Sequence, residues 1–286
     1  MPQTAAAQVP DFADQLREDI ESNRIQLPTL PEVALKVREA VESENSTAAS
    51  IAEMITQDPA LTARLLQVAN SPLYRGRNPI ENVQMAVTRM GLALVKNLVV
   101  TLAMRQIFQA SSEALDKTFR ALWADSLEIA SIARVLSYNV DSLDQEQAML
   151  AGLVHNIGAL PILTKLDNDF GFETDPNLIK ELLAELAPKV GCEILRKWQF
   201  AEALLNVPRD CLDLKRILPK PDYADLVLVA RLQHLVYTGR NDARSCLTMW
   251  EHYSAFERVG IETEVTVLES EESADQIAEA RNMFSG

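Results

Sequence analysis

The chain has 286 residues, 48% of them hydrophobic and 24% charged, a balance typical of a soluble globular protein that excludes a mainly disordered or fibrous one. It carries 27 basic and 41 acidic residues, and the net charge of −14 disfavours non-specific binding to DNA or RNA. Its nine glycines are too few for the many tight turns of a β-sandwich or a nucleotide-binding α/β fold, so the composition favours an all-α protein.

Helix start signals occur early in the chain. Thr29 and Glu32 have the spacing of a capping box, which predicts a helix beginning there. Asp58 directly before Pro59 predicts a second helix start, with an N-cap and a proline in the first turn. The segment Thr47–Gln57 between them has its apolar residues on one face. Three short amphipathic helices are therefore predicted, which must pack together to be stable.

A turn-rich loop and a long apolar helix follow. The loop Ser71–Pro79 leads to a predicted helix at Val83–Met90, and Gly91 separates it from a longer one at Leu92–Gln109. This longer helix is apolar on nearly every side, so we expect it to be central, buried and shared by two halves of the molecule.

The second half of the sequence is also mainly helical. Ser142 and Gln145 have capping-box spacing, and Asp175 before Pro176 offers another helix start. A single strand is predicted at Glu264–Leu268. The predicted helices are Leu115–Tyr138, one containing Met149–Ile157, Asn177–Leu186, Lys189–Trp198, Asp222–Tyr237, Leu247–Phe256 and Ser273–Met283.

The cysteines and the hydropathy of the sequence indicate the cellular compartment of the protein. Cys192, Cys211 and Cys246 are too far apart for a CxxC pair, so we expect them to be reduced and buried. The N-terminus lacks the basic and apolar regions of a signal peptide, and no run reaches the roughly 18 apolar residues of a membrane helix. A cytoplasmic protein without membrane contact is expected.

Five segments together resemble the HDOD family, the bacterial HD-related output domains. They are LPTLPEVALKV (27–37), QDPALTARLLQVANSPLY (57–74), the break at Met90 and Gly91, LWADS (122–126) and AGLVHNIGALPIL (151–163). The resemblance covers about Leu27 to Gly239. It implies an N-terminal helical bundle packed on a degenerate HD-like helical bundle. The domains predicted on this basis are an N-terminal extension (1–26), an N-terminal helical subdomain (27–110), a degenerate HD-like subdomain (111–240) and an acidic C-terminal helical extension (241–286).

The resemblance also bears on catalysis, because HD phosphohydrolases hold divalent cations through histidines and aspartates. Here the HD doublet reads His155-Asn156, and an amide lacks the charge that hard cations favour. Asp125 stands where many relatives carry histidine, Ala187 stands at another histidine position, and Arg231 falls about where a distal aspartate would lie. We therefore expect no catalysis, no metal and no cofactor. His155 is interpreted as a buried histidine bonded to a backbone carbonyl or to Asp125.

A polar cluster on the loop after the QDPAL segment is the other candidate site. Two arginines on a turn-rich loop can hold a phosphate or an acidic partner helix, although the loop can equally be structural, with its first residues ending the preceding helix. The candidate binding residues are Asn70, Ser71, Tyr74, Arg75, Arg77, Asp125, His155 and Asn156.

The leading hypothesis is a non-catalytic signal-transduction module that binds a signalling protein partner. Two alternatives stay open at this point. One is a residual metal-dependent phosphohydrolase or phosphodiesterase, and the other is a sensor that binds a small ligand such as a nucleotide second messenger through Arg75 and Arg77.

Overall fold

The computed structural model describes residues 14–16, 18–20, 22, 24–43, 47–74, 76–109, 112–170, 176–238, 253–261 and 270–285. Within these ranges every regular element is helical, which confirms the predicted all-α class. The helices are α1 (Glu32–Glu42), α2 (Ala48–Thr56), α3 (Pro59–Ala69), α4 (Val83–Met90), α5 (Leu92–Ile107), α6 (Glu113–Leu136), α7 (Gln145–Val154), α8 (Ala159–Phe170), α9 (Pro176–Lys197), α10 (Glu202–Leu205), α11 (Val207–Asp210), α12 (Tyr223–Tyr237), α13 (Ser254–Val259) and α14 (Glu271–Ser285).

Several sequence predictions fall on residues outside the described part of the chain. These are the strand at Glu264–Leu268, most of the helix at Leu247–Phe256, most of the N-terminal extension, Asp175, Arg75 and Cys246.

The N-terminal bundle consists of α1 to α5, and polar N-cap residues begin two of its helices. Asp58 caps α3 as predicted, since its Oδ1 accepts a hydrogen bond from the amide of Leu61 at 3.0 Å. Thr47 caps α2 through reciprocal hydrogen bonds with Ser50. These polar caps leave the apolar faces of both helices free to pack, and α2 lies against α1, α3 and α4.

The predicted capping box at Thr29 is wrong. Helix α1 begins at Glu32, and the residue before it is Pro31, whose extended backbone contributes no side-chain cap. A capping box requires the threonine directly before the first helical residue, and Thr29 lies too far upstream.

The HD-like bundle contains α6 to α12, in which α6 and α7 pack side by side. The predicted capping box at Ser142 is also wrong, because Asp144 is the N-cap of α7 and accepts a hydrogen bond from the Gln147 amide at 2.8 Å. The two helices predicted on either side of residue 188 are a single helix, α9, with Pro188 inside it. Proline disfavours a helix interior, so the sequence indicates a break, but packing against α8, α10 and α11 holds the helix together.

The two bundles share one hydrophobic core. Helix α5 packs against α1, α3 and α4 on one side and α7 on the other, as expected for a central buried helix. Across the junction, the indole Nε1 of Trp198 donates to the carbonyl of Pro28 at 3.0 Å, and Arg38 donates to the carbonyl of Trp198. The domain boundaries at 26, 110 and 240 stay predictions.

In the part of the chain that the structure describes, one helical stretch, Gln145–Asn168, is long and apolar enough to cross a membrane by length and composition. It comprises α7, the turn after it and most of α8, and it is mostly buried inside the fold. Its apolar composition is therefore that of a core element.

The acidic C-terminal part ends in a helix that docks on the HD-like bundle. Helix α14 packs along α6 through four buried residues, and Arg281 forms an ion pair with Glu128 at 3.1 Å. Its last turn reaches the N-terminal bundle, where the Ser71 hydroxyl donates to Sδ of Met283 at 2.9 Å. This helix thus contacts both halves of the molecule. The four buried residues are Ile277, Ala280, Met283 and Phe284.

Candidate functional site

The loop that follows α3 is closed by Asn70. Its side-chain amide donates to the carbonyls of Leu66 at 2.9 Å and Ile80 at 2.8 Å, and its Oδ1 accepts from the Ile80 amide at 2.7 Å. All of these bonds are to the backbone, so Asn70 ends α3 and fixes both ends of the loop. Arg77 is exposed on the same loop, and Arg75 lies outside the described residues.

Tyr74 faces the junction of the two bundles. Its ring lies 5.9 Å from the guanidinium carbon of Arg134, which is 3% exposed and pairs with Glu146 at 3.0 Å. Burial, followed by the negative charge of Glu146, raises the pKa of the Tyr74 phenol. Tyr74 therefore acts as a contact between bundles, placed over a buried ion pair of α6 and α7.

His155 lies at the turn between α7 and α8 and is 4% exposed. Its Nδ1 is 2.6 Å from the carbonyl oxygen of Gly152. A carbonyl only accepts, so Nδ1 carries the proton and Nε2 carries the lone pair. Nε2 has no hydrogen-bond partner within the described residues. Burial, followed by the positive charge of Arg231, lowers the pKa of His155 to about 3.

The surroundings of His155 do not fit a divalent cation. Arg231 lies near enough for its charge to act on the imidazole, and its Nη1 is anchored on the carbonyl of Cys211 at 2.8 Å. The neighbour of His155 in sequence is the uncharged Asn156. Within the described part of the chain, no three His, Cys, Asp or Glu side chains come together closely enough to hold a metal ion. A guanidinium fixed near His155 would repel a metal ion.

Asp125 lies on the wall of a cavity of about 930 Å³. His234 lies on the same wall and is close enough to His155 to act on its imidazole, so the cavity and the buried histidine are neighbours. The loop of Asn70 and Ser71 is instead fastened to Ile80 and to α14. Sequence analysis missed most of the cavity residues, because they come from separate helices and form no local pattern. They include Arg105, Phe108, Arg120, Trp123, His234 and Arg281.

The buried state of His155 predicts a dependence of stability on pH. The pKa falls from an ordinary 6.5 to about 3 on folding, so the unfolded chain binds a proton that the folded chain excludes. The contribution of His155 to the free energy of unfolding is therefore fully present above pH 6.5 and is lost as the pH falls towards 3. Between pH 7.5 and 5.5, the free energy of unfolding should fall by about 1.4 kcal/mol more in the wild type than in His155→Gln. Urea unfolding at both pH values measures this difference. An equal change in the free energy of unfolding of the two proteins between the two pH values would contradict the prediction.

Comparison with known proteins places the chain among HDOD proteins. The HDOD domain family model matches residues 27–210, more than half of the chain. A crystal structure from Shewanella amazonensis SB2B, of a protein named as a candidate metal-dependent phosphohydrolase, is 29% identical, with a TM-score of 0.84 over 97% of this chain and 99% of that one. An HDOD domain protein of unknown function from Geobacter sulfurreducens is 22% identical, with a TM-score of 0.66 over 96% of this chain and 99% of that one.

A curated relative is much longer than this chain. It is an uncharacterized protein of Treponema pallidum (strain Nichols), 23% identical over 199 residues, which are 64% of this chain and 37% of the relative. The match thus spans little more than a third of that relative's length.

Proposed function

The chain belongs to the HDOD domain family, and from this premise we propose that it is a non-catalytic regulatory module that acts by binding a partner protein. The observation that carries the proposal is the chemistry around His155, which has the uncharged Asn156 beside it in sequence and the cationic Arg231 near it, whereas a metal-dependent phosphohydrolase needs carboxylates. The cytoplasmic location expected from the sequence belongs to the same proposal.

The relative from Shewanella amazonensis supports a shared fold and leaves the question of activity to the residues of the site. In this chain the neutral imidazole of His155 bonds to the backbone, its Nε2 has no hydrogen-bond partner within the described residues, and the positive charge of Arg231 acts on the ring. Such an environment disfavours both a bound divalent cation and a protonated general acid. The side chains around His155 therefore give little support to the phosphohydrolase hypothesis.

The contacts between the bundles suggest how partner binding would be transmitted. The loop from Ser71 to Arg77 touches α14 through Met283 and the buried ion pair of α6 and α7 through Tyr74. A partner seated on this loop would therefore change the contacts of both bundles and of the C-terminal helix. Binding at one surface would in this way change the packing at another surface.

Calorimetric titration of the full chain with Mn²⁺, Mg²⁺ and Zn²⁺ tests the proposal. We expect no saturable binding by the wild type. The double variant Asn156→Asp, Arg231→Gln should bind Mn²⁺ more tightly than the wild type, because it restores a carboxylate and removes the competing cation. Near-stoichiometric binding by the wild type that disappears in His155→Ala would overturn the non-catalytic assignment.

A further inference from the structure

A groove between α3 and α5 carries two arginines, Arg64 and Arg105, that form no ion pair within the described residues. The groove has a volume of about 220 Å³, and its polar wall is formed by Arg64 of α3 and by Arg105, Gln106 and Gln109 in and just after α5. No acidic side chain contributes to this wall among the described residues. It adjoins the larger cavity, because Arg105, Gln109 and Trp123 lie on the walls of both.

Unpaired arginines are unexpected at such a place in a chain with a net charge of −14. Arg120 and Arg281 on the larger cavity are neutralised by Asp116 at 2.6 Å and Glu128 at 3.1 Å. Within the described residues, Arg64 and Arg105 have neither an ion pair nor a hydrogen bond. Burial, followed by the positive charges of Arg64 and Arg120, lowers the pKa of Arg105. The groove is therefore a local region of uncompensated positive charge.

The chemistry of these walls matches a phosphorylated ligand. Two guanidiniums offer forked donors suited to a phosphate, and the amides of Gln106 and Gln109 add neutral donors. The adjoining cavity of about 930 Å³ is large enough for the rest of a nucleotide and carries Phe108 and Trp123, whose ring centroids are 5.2 Å apart. Arg64 lies on the wall of the groove alone and Phe108 on the wall of the cavity alone, so these two residues mark opposite ends of such a site.

We propose that this groove and cavity form a binding site for a nucleoside phosphate, with the phosphates between Arg64 and Arg105 and the base and sugar in the cavity beside Trp123. The site differs from the loop of Arg75 and Arg77, and it is formed by the N-terminal bundle, α6, α12 and α14. Because Phe284 lies on the groove wall and Arg281 on the cavity wall, an occupant would contact α14 directly. Ligand binding would thus favour the docked position of this helix and give the regulatory module a small-molecule input.

Calorimetric titration of the full chain with ADP, pyrophosphate and adenosine tests the site. ADP is expected to bind most tightly, pyrophosphate more weakly and adenosine at least about tenfold more weakly than ADP, because it lacks the charge-assisted bonds. The double variant Arg64→Gln, Arg105→Gln should lose about 100-fold in ADP affinity while keeping its thermal unfolding midpoint, since it removes two mutually repelling charges.

Two exposed arginines provide matched controls. Arg196→Gln, on α9 and outside this site, should leave ADP affinity unchanged, and so should Arg77→Gln on the loop. Absence of ADP and pyrophosphate binding by the wild type would overturn the proposal. Loss of binding in Arg77→Gln with no loss in the double variant would overturn it as well, and would place the ligand on the loop. None of these results would affect the partner-binding role, which rests on the surroundings of His155.

Discussion

Replacing Asp225 by alanine is expected to lower the free energy of unfolding by about 3 to 5 kcal/mol, since removing one partner of a buried ion pair leaves the other charge uncompensated. Asp225 is fully buried on α12 and accepts hydrogen bonds from Arg258 at 2.6 and 2.8 Å and from Arg216 at 3.0 Å. Arg216 also pairs with Asp222 and Asp210, whereas every ion pair of Arg258 within the described residues is with Asp225.

The Asp225 network joins α12 to α13, so its loss should also release α13 from the bundle. Asp225→Asn, which keeps the shape and removes the charge, should lose most of the same free energy. Glu257→Ala is the matched control, because Glu257 is exposed on α13 next to Arg258. Urea unfolding of the three variants measures the effect, and a change below about 1 kcal/mol in Asp225→Ala, as for an exposed pair, would contradict the account.

Gly158→Ala is expected to destabilise the protein by about 3 kcal/mol or more, because overpacking against backbone cannot be relieved by a side-chain rotation. A Cβ atom at Gly158 would lie 2.0 Å from the carbonyl oxygen of Ala187 and 2.5 Å from the amide nitrogen of Gly191. Both neighbours belong to α9, so the methyl group would push α9 away from the turn that carries His155.

The control for this substitution is Gly76→Ala, where a Cβ atom would meet nothing within 4 Å. Its free energy of unfolding should stay within about 0.5 kcal/mol of the wild type, as for other surface changes. Thermal and urea unfolding of both variants test the contrast. Equal stability of the two variants would show that the close approach of α9 to Gly158 does not contribute to the stability of the protein.

The fold could be predicted well where local signals and the family resemblance agree. Asp58 and Pro59 indicate the start of α3 because both act within one turn, and the apolar surface of α5 indicates its central position. Two predicted capping boxes lie too far upstream of the helix start, and one error arises where tertiary packing outweighs a local signal. Pro188 predicts a break, yet α9 continues through it, because its neighbours in the bundle hold it on both sides.

The candidate site could be predicted only in part. The residues at 155 and 156 stand next to each other in the sequence, so their departure from a histidine–aspartate doublet is visible without a structure. Arg64, Arg105 and Trp123 lie on three different helices, and their spacing in the sequence forms no pattern that indicates a common site. Only the packing of α3, α5 and α6 brings them together.

The most direct test of the central claim, that the HD-like bundle binds and does not cleave, is phosphoester hydrolysis by the purified full chain. Bis(p-nitrophenyl) phosphate is the probe, in the presence of Mn²⁺, Mg²⁺ or Zn²⁺, with His155→Ala as the matched variant. The account predicts that the two proteins give the same rate as the metal ion alone. Metal-dependent turnover by the wild type, reduced at least about 100-fold in His155→Ala, would contradict it and identify the chain as a phosphohydrolase.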